Sequence, residues 1–256
     1  MSHALDRWCK AYIGSQRHQI NSYRPLDYLD ADTIYKMLVQ DASGYLYSAM
    51  VSIADACNGL RRGYYSWATC KLYYSLFYSL RGLLALRRKG LLYVESKPFL
   101  VEAKPSSKIR SLRRSESSGG THGTIIKLFL VNVPTHILVS QPIDGCDSLI
   151  WLKKKREEAT YGRAHYLDPS VPRWFSFIPI HGVRKLISTY MSADVPMYAF
   201  DPEHAMLALP ILAVRCLSKE LLLTDNPALD DTDAESLASM FVDEKGKIAF
   251  VQNILR

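Results

Sequence analysis

Apolar residues recur at helical spacing along most of this chain, and the clearest pattern covers residues 66–90. Within it, leucines follow one another every three or four positions, at Leu72, Leu76, Leu80, Leu83 and Leu84. Ser66 is a suitable N-cap, and Gly90 can end a helix in the left-handed conformation. The pattern therefore predicts one long, buried helix against which the other elements pack.

A second face of this helix is polar and aromatic. Tyr74, Tyr78 and Arg81 stand at positions i, i+4 and i+7, so a helix places them side by side. Two interpretations stay open. The tyrosines can fill core space and use their hydroxyl groups for hydrogen bonds, or they can line a groove together with Arg81.

Weaker patterns predict further helices on both sides of the central one. Asp32 is expected to cap a helix that starts at Thr33, and Asp147 is expected to cap another that starts at Ser148. The start of the helix at 201–223 is marked by Asp201, Pro202 and Glu203, and Pro210 should kink or interrupt it. The remaining predicted helices are 5–12, 44–57, 124–130 with Thr121 as its cap, 183–191 and 234–241.

Residues 91–120 break the helical pattern, with two prolines and many serines. Short strands are predicted at 91–94 and 99–101, and most of the segment is predicted to be an exposed, mobile, basic loop. The fold class expected from all these patterns is mainly α. The predicted division is a helical domain over 1–169, with this basic insertion, and a helical C-terminal extension over 170–256 with an acidic tail.

Charge is unevenly distributed along the chain, whose formal net charge is +7. Residues 81–114 hold ten Lys or Arg against two Glu, whereas residues 194–256 hold eleven acidic residues against five basic ones. A basic middle segment indicates RNA or DNA as a partner, and the alternative is a loop that only aids solubility. The residues predicted to contact nucleic acid are Arg87, Arg88, Lys89, Lys104, Lys108, Arg110, Arg113, Arg114, Lys153, Lys154 and Lys155.

Several functional classes lack their usual signatures. No phosphate-binding loop, dinucleotide-binding glycine motif, zinc-protease motif or serine-hydrolase elbow is present. The histidines show no metal-ligand spacing, and the five cysteines are scattered singly. We therefore expect no metal and no cofactor. Because no long apolar run and no signal region occur, we also expect no membrane contact and a cytoplasmic location.

The remaining chemistry-bearing residues are basic, phenolic and imidazole groups. Tyr73 or Tyr74 and Arg81 could meet residues of later helices in a bundle, namely His122, Arg156, Tyr161 and His165. Such a set would favour an anion such as a phosphodiester, with arginine as a fixed charge and histidine as a general acid or base. The plainer alternatives are that His122 belongs to a capping turn and that Arg156 lies on a solvated helix face.

Two segments of the chain resemble the HEPN superfamily of small helical domains. TCKLYYSLFYSLRGLLALRRKG, followed across the insertion by THGTIIKLF, is similar to that family's tyrosine-bearing long helix and its next helix. LKKKREEATYGRAHYLDP is similar to the family's arginine-bearing last helix. Both lie within residues 66–169. The resemblance implies a HEPN-like helical bundle and a role in prokaryotic antiviral defence, toxin–antitoxin or RNA-processing systems.

The same resemblance guides the functional expectation. Catalytic HEPN ribonucleases carry arginine, four to six further residues and then histidine, whereas here Tyr161 stands at that distance from Arg156 and His165 lies farther along. The expected function is thus a non-catalytic subunit of a multiprotein defence complex that contacts protein and nucleic acid. The alternative is a metal-independent endoribonuclease, toxin-like and homodimeric, that uses Arg156 with His165 or His122. A plain RNA- or DNA-binding module is a third interpretation.

Overall fold

The computed structural model describes residues 3–162, 164–192, 196–224 and 228–255. Its fold is mainly α, as the sequence predicts, with 63% of residues in helices. The α-helices among the described residues are α1 (Ala4–Tyr12), α2 (Arg17–Ser22), α3 (Tyr28–Arg61), α4 (Tyr65–Leu86), α5 (Thr121–Asn132), α6 (Ser148–Tyr161), α7 (Phe177–His181), α8 (Val183–Ser192), α9 (Ala205–Leu221), α10 (Asp231–Met240) and α11 (Phe250–Ile254).

The strands are short and form three antiparallel sheets. They are β1 (Lys89–Val94), β2 (Lys97–Glu102), β3 (Arg110–Ser111), β4 (Pro142–Ile143), β5 (Cys146–Asp147), β6 (Val242–Asp243) and β7 (Gly246–Lys247). In the three-stranded sheet β2 is central, with Gly90 opposite Val101 on one side and Leu100 opposite Arg110 on the other. The other two sheets are hairpins of two residues per strand.

Helix α4 is the centre of the structure, as its leucine pattern predicts. It packs along α3, against α9 and against α5 and α6. All five leucines of the pattern are buried. Gly82 lets α9 approach closely, because a Cβ atom at this position would lie only 2.6 Å from a methyl group of Leu217. The dense apolar surface of α4 is therefore covered by helices from both ends of the chain.

Both predicted ends of the central helix are wrong. It begins at Tyr65, so Ser66 lies inside the helix, and it ends at Leu86. The left-handed residue after it is Arg88, with φ of 61°, whereas Gly90 belongs to β1. Gly90 serves packing instead, since a Cβ atom there would lie 2.4 Å from a methyl group of Leu5.

The two helices predicted around 33 and over 44–57 are one continuous helix, α3. Its cap is Asp27, which accepts the backbone N–H of Asp30, so Asp32 is not the cap. Gly44 lies inside α3 on an open face and does not interrupt it. A single glycine lowers helix propensity by about 1 kcal/mol, which the burial of the flanking apolar residues easily offsets.

The basic insertion is not mostly an exposed loop. The strands predicted at 91–94 and 99–101 are confirmed, and Phe99, Leu100 and Val101 are buried against the helices. After β3, the buried carboxylate of Glu116 accepts two hydrogen bonds from the guanidinium of Arg110, each 2.7 Å long. The insertion therefore contains a buried strand and an ion pair within the segment, and its excess of basic residues gave no indication of either.

Several other predicted helix ends are also wrong, and one predicted cap is confirmed. Thr121 is the first residue of α5 and its cap is Gly120, while the predicted cap of α6, Asp147, is confirmed by its bonds to the N–H groups of Leu149 and Ile150. Helix α9 starts at Ala205 after its cap His204, so Asp201 is not the cap, and Pro210 lies inside the helix without interrupting it. Helix α10 is capped by Asp230 and starts three residues before the prediction.

One hydrophobic core contains residues from both sides of the predicted boundary at 169/170. Among them, Leu217 of α9 packs against Gly82 of α4. Among the described residues, no helix has both the length and the apolar character that crossing a lipid bilayer requires.

Candidate functional site

Three helices bring a tyrosine, a histidine and an arginine together on one side of α4. The ring of His122, in the first turn of α5, lies 5.5 Å from the rings of Tyr73 and Tyr74 and 4.5 Å from that of Phe77. The guanidinium of Arg156, on α6, lies 5.8 Å from the centre of the Tyr73 ring. We call these residues, Tyr73, Tyr74, Phe77, His122 and Arg156, the α4–α6 cluster.

Local sequence features determine where the helix of Arg156 begins and how the chain packs at the start of the helix of His122. Asp147 caps α6 and so fixes the start of that helix at Ser148, eight residues before Arg156. The residue after His122 is Gly123, and a side chain does not fit there, because a Cβ atom would lie 2.6 Å from the backbone oxygen of Ser118. The loop that precedes α5 can therefore fold directly over its first turn, which holds His122 against α4.

Each of three cluster residues has a buried polar atom without a hydrogen-bond partner among the described residues. These atoms are the hydroxyl group of Tyr73, Nδ1 of His122 and Nε of Arg156. Tyr73 is only 1% exposed, so its hydroxyl group cannot turn to bulk water. Leaving such a group unpaired costs about 1–3 kcal/mol. The cluster thus has unused hydrogen-bonding capacity in one small region.

The electrostatics of the cluster favour a neutral histidine beside a fixed positive charge. Burial, then the charges of Arg156 and Lys153, lower the pKa of His122 below its ordinary value of 6.5. Burial opposes the charge of Arg156, but a hydrogen bond with Tyr74 and the proximity of Tyr161 raise the pKa of Arg156. Burial also raises the pKa of Tyr73. At neutral pH the set therefore contains one cation, the neutral imidazole of His122 and the neutral phenol of Tyr73.

The residues predicted to form a groove lie in two places. The rings of Tyr74 and Tyr78 are 6.3 Å apart, and Tyr161 at the end of α6 lies 5.3 Å from the guanidinium of Arg156. Arg81 lies farther along α4, where its guanidinium contacts the ring of Tyr45 at 4.4 Å. Tyr74 and Tyr78 are partly accessible and lie at the edge of the cluster, whereas Arg81, also partly accessible, lies outside it.

His165 lies outside the cluster. It is exposed and lines a separate cavity of about 60 Å³ with Ser66 and Trp174. Among the described residues, it makes no hydrogen bond or ring contact with Arg156. The structure therefore places His122, and not His165, beside the arginine.

Many of the basic residues predicted to contact nucleic acid have partners within the fold. Arg87 is the clearest case, since it donates two hydrogen bonds of 2.7 and 2.9 Å to Glu220 and so joins α4 to α9. Arg88 contacts the ring of Tyr35 at 4.0 Å. The ion pairs are Lys89–Glu102, Arg110–Glu116, Lys153–Glu157 and Lys155–Glu158. These side chains contribute to the fold.

The other basic residues of that prediction are exposed. They make no ion pair with an acidic side chain of the described residues, and they are Lys104, Lys108, Arg113, Arg114 and Lys154. Arg113 and Arg114 follow β3, in the loop that leads to α5 and His122. These residues stay candidates for long-range attraction of a polyanion.

Sequence reasoning missed Phe77, whose ring makes the closest contact with His122. Its position three residues after Tyr74 and four after Tyr73 was the available signal, because such residues share a helix face. It did not stand out among the other apolar residues of α4. Among the described residues, no three His, Cys, Asp or Glu side chains lie close enough to hold a metal ion.

The α4–α6 cluster is the candidate functional site, and its interpretation rests on its geometry and charges. In comparisons with models of protein families, with curated proteins and with solved structures, the chain shows no significant match.

Proposed function

We propose that this chain is a HEPN-like, non-catalytic subunit that binds nucleic acid through the α4–α6 cluster. The observation that carries the proposal is the convergence of Arg156 and His122 on the tyrosines of α4, with three buried polar atoms left unpaired. A phosphodiester oxygen is a suitable acceptor for the guanidinium of Arg156, whose side chain is only partly buried. The proposed assembly is a prokaryotic antiviral defence complex, and this part of the proposal rests on the resemblance in residues 66–169.

The two kinds of positive charge have separate roles in this proposal. Arg156 is partly buried and fixed by its contacts with Tyr73, Tyr74 and Tyr161, so it positions one phosphate. The exposed lysines and arginines of the insertion attract the polyanion without fixing it, and their contribution falls with rising salt.

The test is fluorescence anisotropy of labelled single-stranded RNA and DNA with the full chain and with Arg156→Gln. The matched control is Lys154→Gln, which removes one charge from the exposed side of the same helix. Losing a charge-assisted bond of about 1.5–3 kcal/mol should weaken binding about ten- to a hundredfold for Arg156→Gln. The control should lose no more than about twofold and should flatten the salt dependence. Equal effects of the two variants would contradict the proposal.

The acidic C-terminal part is proposed to contact a protein partner. Asp231, in the first turn of α10, and Glu235, in its second turn, are both exposed. An acidic residue in the first turn of a helix also stabilises that helix through its dipole. The double variant Asp231→Asn/Glu235→Gln should therefore be compared with an exposed control, Glu244→Gln. Co-purification from the native host should lose the same partner with the double variant alone. A partner retained by all three proteins would refute this part.

A metal-independent endoribonuclease is the second candidate, and one observation favours it. The lowered pKa of His122 keeps its imidazole neutral beside Arg156, which suits a general base next to a cation that stabilises a phosphorane-like charge. RNA incubated with the chain in excess EDTA should then be cleaved, and both His122→Gln and Arg156→Gln should abolish cleavage. Intact RNA bound by the wild-type chain would favour the non-catalytic proposal.

A further inference from the structure

A cavity of about 450 Å³ lies where α1, α3, α4, β1 and α5 meet. Its interior is aliphatic, and the residues that line it include Leu5, Leu38, Leu84, Leu92, Leu100 and Ile125. A cavity of this size is within the range of small-molecule sites in proteins, which are mostly apolar with a few polar groups at defined positions. Aliphatic side chains dominate here, and they favour an aliphatic occupant.

Most charged groups at the mouth of this cavity have partners in the fold. Asp6 and Lys10 form an ion pair of 2.7 Å, and Lys89 pairs with Glu102 at 3.0 Å. The carboxylate of Asp41 accepts the backbone N–H groups of the first two residues of α1, at 2.6 and 3.2 Å. These charges are therefore compensated without a ligand.

Arg81 is the exception at this mouth. Its guanidinium contacts the rings of Tyr45 at 4.4 Å and Phe77 at 5.9 Å, and it lies 3.5 Å from Nε2 of His3. Within the described residues it makes no ion pair with a carboxylate. Burial and Arg81 itself lower the pKa of His3, so this imidazole is neutral at pH 7. Arg81 is thus a cation at the cavity wall that no carboxylate of the described residues contacts directly.

We propose that this cavity binds a free aliphatic carboxylate of medium chain length. The carboxylate accepts hydrogen bonds from the guanidinium of Arg81, and the hydrocarbon chain occupies the leucine-lined interior. An arginine suits a carboxylate because its planar fork can donate two parallel hydrogen bonds. Removal of the chain from water supplies the remaining driving force. The proposal does not depend on nucleic-acid binding, since it uses no residue of the α4–α6 cluster except the ring of Phe77.

Isothermal titration calorimetry of the full chain with decanoate, below its micelle-forming concentration, tests this proposal. Decanoate should bind, acetate should not, and decylamine should bind at least tenfold more weakly because it carries the opposite charge. Arg81→Gln should weaken decanoate binding about ten- to a hundredfold and leave the weaker binding of decan-1-ol unchanged. Lys10→Gln is the matched control at the same mouth, and it should change decanoate binding by less than about twofold.

Variants that fill the cavity test its interior. Leu91 lines the cavity from β1 and is partly exposed, so Leu91→Trp can occupy the space, and Ile125→Phe does so from α5 if the first variant fails to fold. Whichever variant keeps the wild-type circular dichroism spectrum should lose the decanoate signal. Absence of decanoate binding, equal binding of decylamine, or unchanged binding by Arg81→Gln would each overturn the proposal.

Discussion

Replacement of Gly82 by alanine tests whether α4 and α9 pack as closely as the structure indicates. On helix propensity alone, Gly82→Ala should stabilise the protein by about 1 kcal/mol, because glycine is the weaker helix former. The tertiary structure predicts the opposite sign. A Cβ atom at position 82 would lie 2.6 and 2.7 Å from the two methyl groups of Leu217, whose side chain is 0% exposed.

The size of the effect follows from two opposing terms. Overpacking a filled core costs about 1–3 kcal/mol, and two methyl groups would have to move here, so we place the cost near 2–3 kcal/mol. Subtracting the propensity gain of about 1 kcal/mol leaves a net loss of roughly 1–2 kcal/mol. Leu217→Ala alone should cost about 2–5 kcal/mol through the cavity that it leaves. In that background the clash is gone, so adding Gly82→Ala should stabilise by about 1 kcal/mol.

The assay is urea unfolding followed by circular dichroism for the wild type, both single variants and the double variant. The double-mutant cycle should give a coupling energy of roughly 2–3 kcal/mol between the two positions, as expected for residues in contact. A Gly82→Ala variant at least as stable as the wild type would refute the packing argument. So would a substitution effect of the same sign and size in both backgrounds.

Three further predictions concern stability. Hydrogen bonds from Arg110 lower the pKa of Glu116 from 4.5 to about 2, so the ionised carboxylate stabilises the fold fully above pH 4.5. As the pH falls from 4.5 to about 2, roughly 3 kcal/mol of the free energy of unfolding should be lost. Glu116→Gln should remove this acid-dependent loss in urea titrations between these pH values, while Arg110→Gln should show the same flattening. Asp147→Ala should cost about 1 kcal/mol in urea unfolding, because two N–H groups of α6 lose their acceptor. Gly90→Ala should lower the thermal midpoint through a clash with Leu5, at a cost of about 1–3 kcal/mol, and an unchanged midpoint would contradict it.

The helix content of this protein could be predicted from the sequence because its signals are local. The leucine spacing of α4 identifies the buried helix, and Asp147 identifies the start of α6, since a cap and the helix that it caps are neighbours in the chain. Helix ends were less accessible. Gly90 has the properties of a helix terminator, but its role in packing against Leu5 depends on an element 85 residues away.

The insertion shows why composition misled the prediction there. A dense run of basic residues is typical of an exposed segment. Here, however, Arg110 donates hydrogen bonds to the carboxylate of Glu116, and the central residues of β2 are buried. Pairing of a charge with a carboxylate lets a charged segment pack against a core. The sequence lists both partners but does not state that they meet.

The sequence by itself determined where most of the longer helices lie, which helix is buried on most sides and which residues carry reactive groups, because spacing and caps act over a few positions. It did not predict the short helices α2, α7 and α11. Only the tertiary structure decided that His122 and not His165 stands beside Arg156, that Arg87 is bound to Glu220, and that Arg81 lies at the wall of an aliphatic cavity. These arrangements require helices from distant parts of the chain to pack together. Their geometry follows from the filling of a shared core, and no local pattern records it.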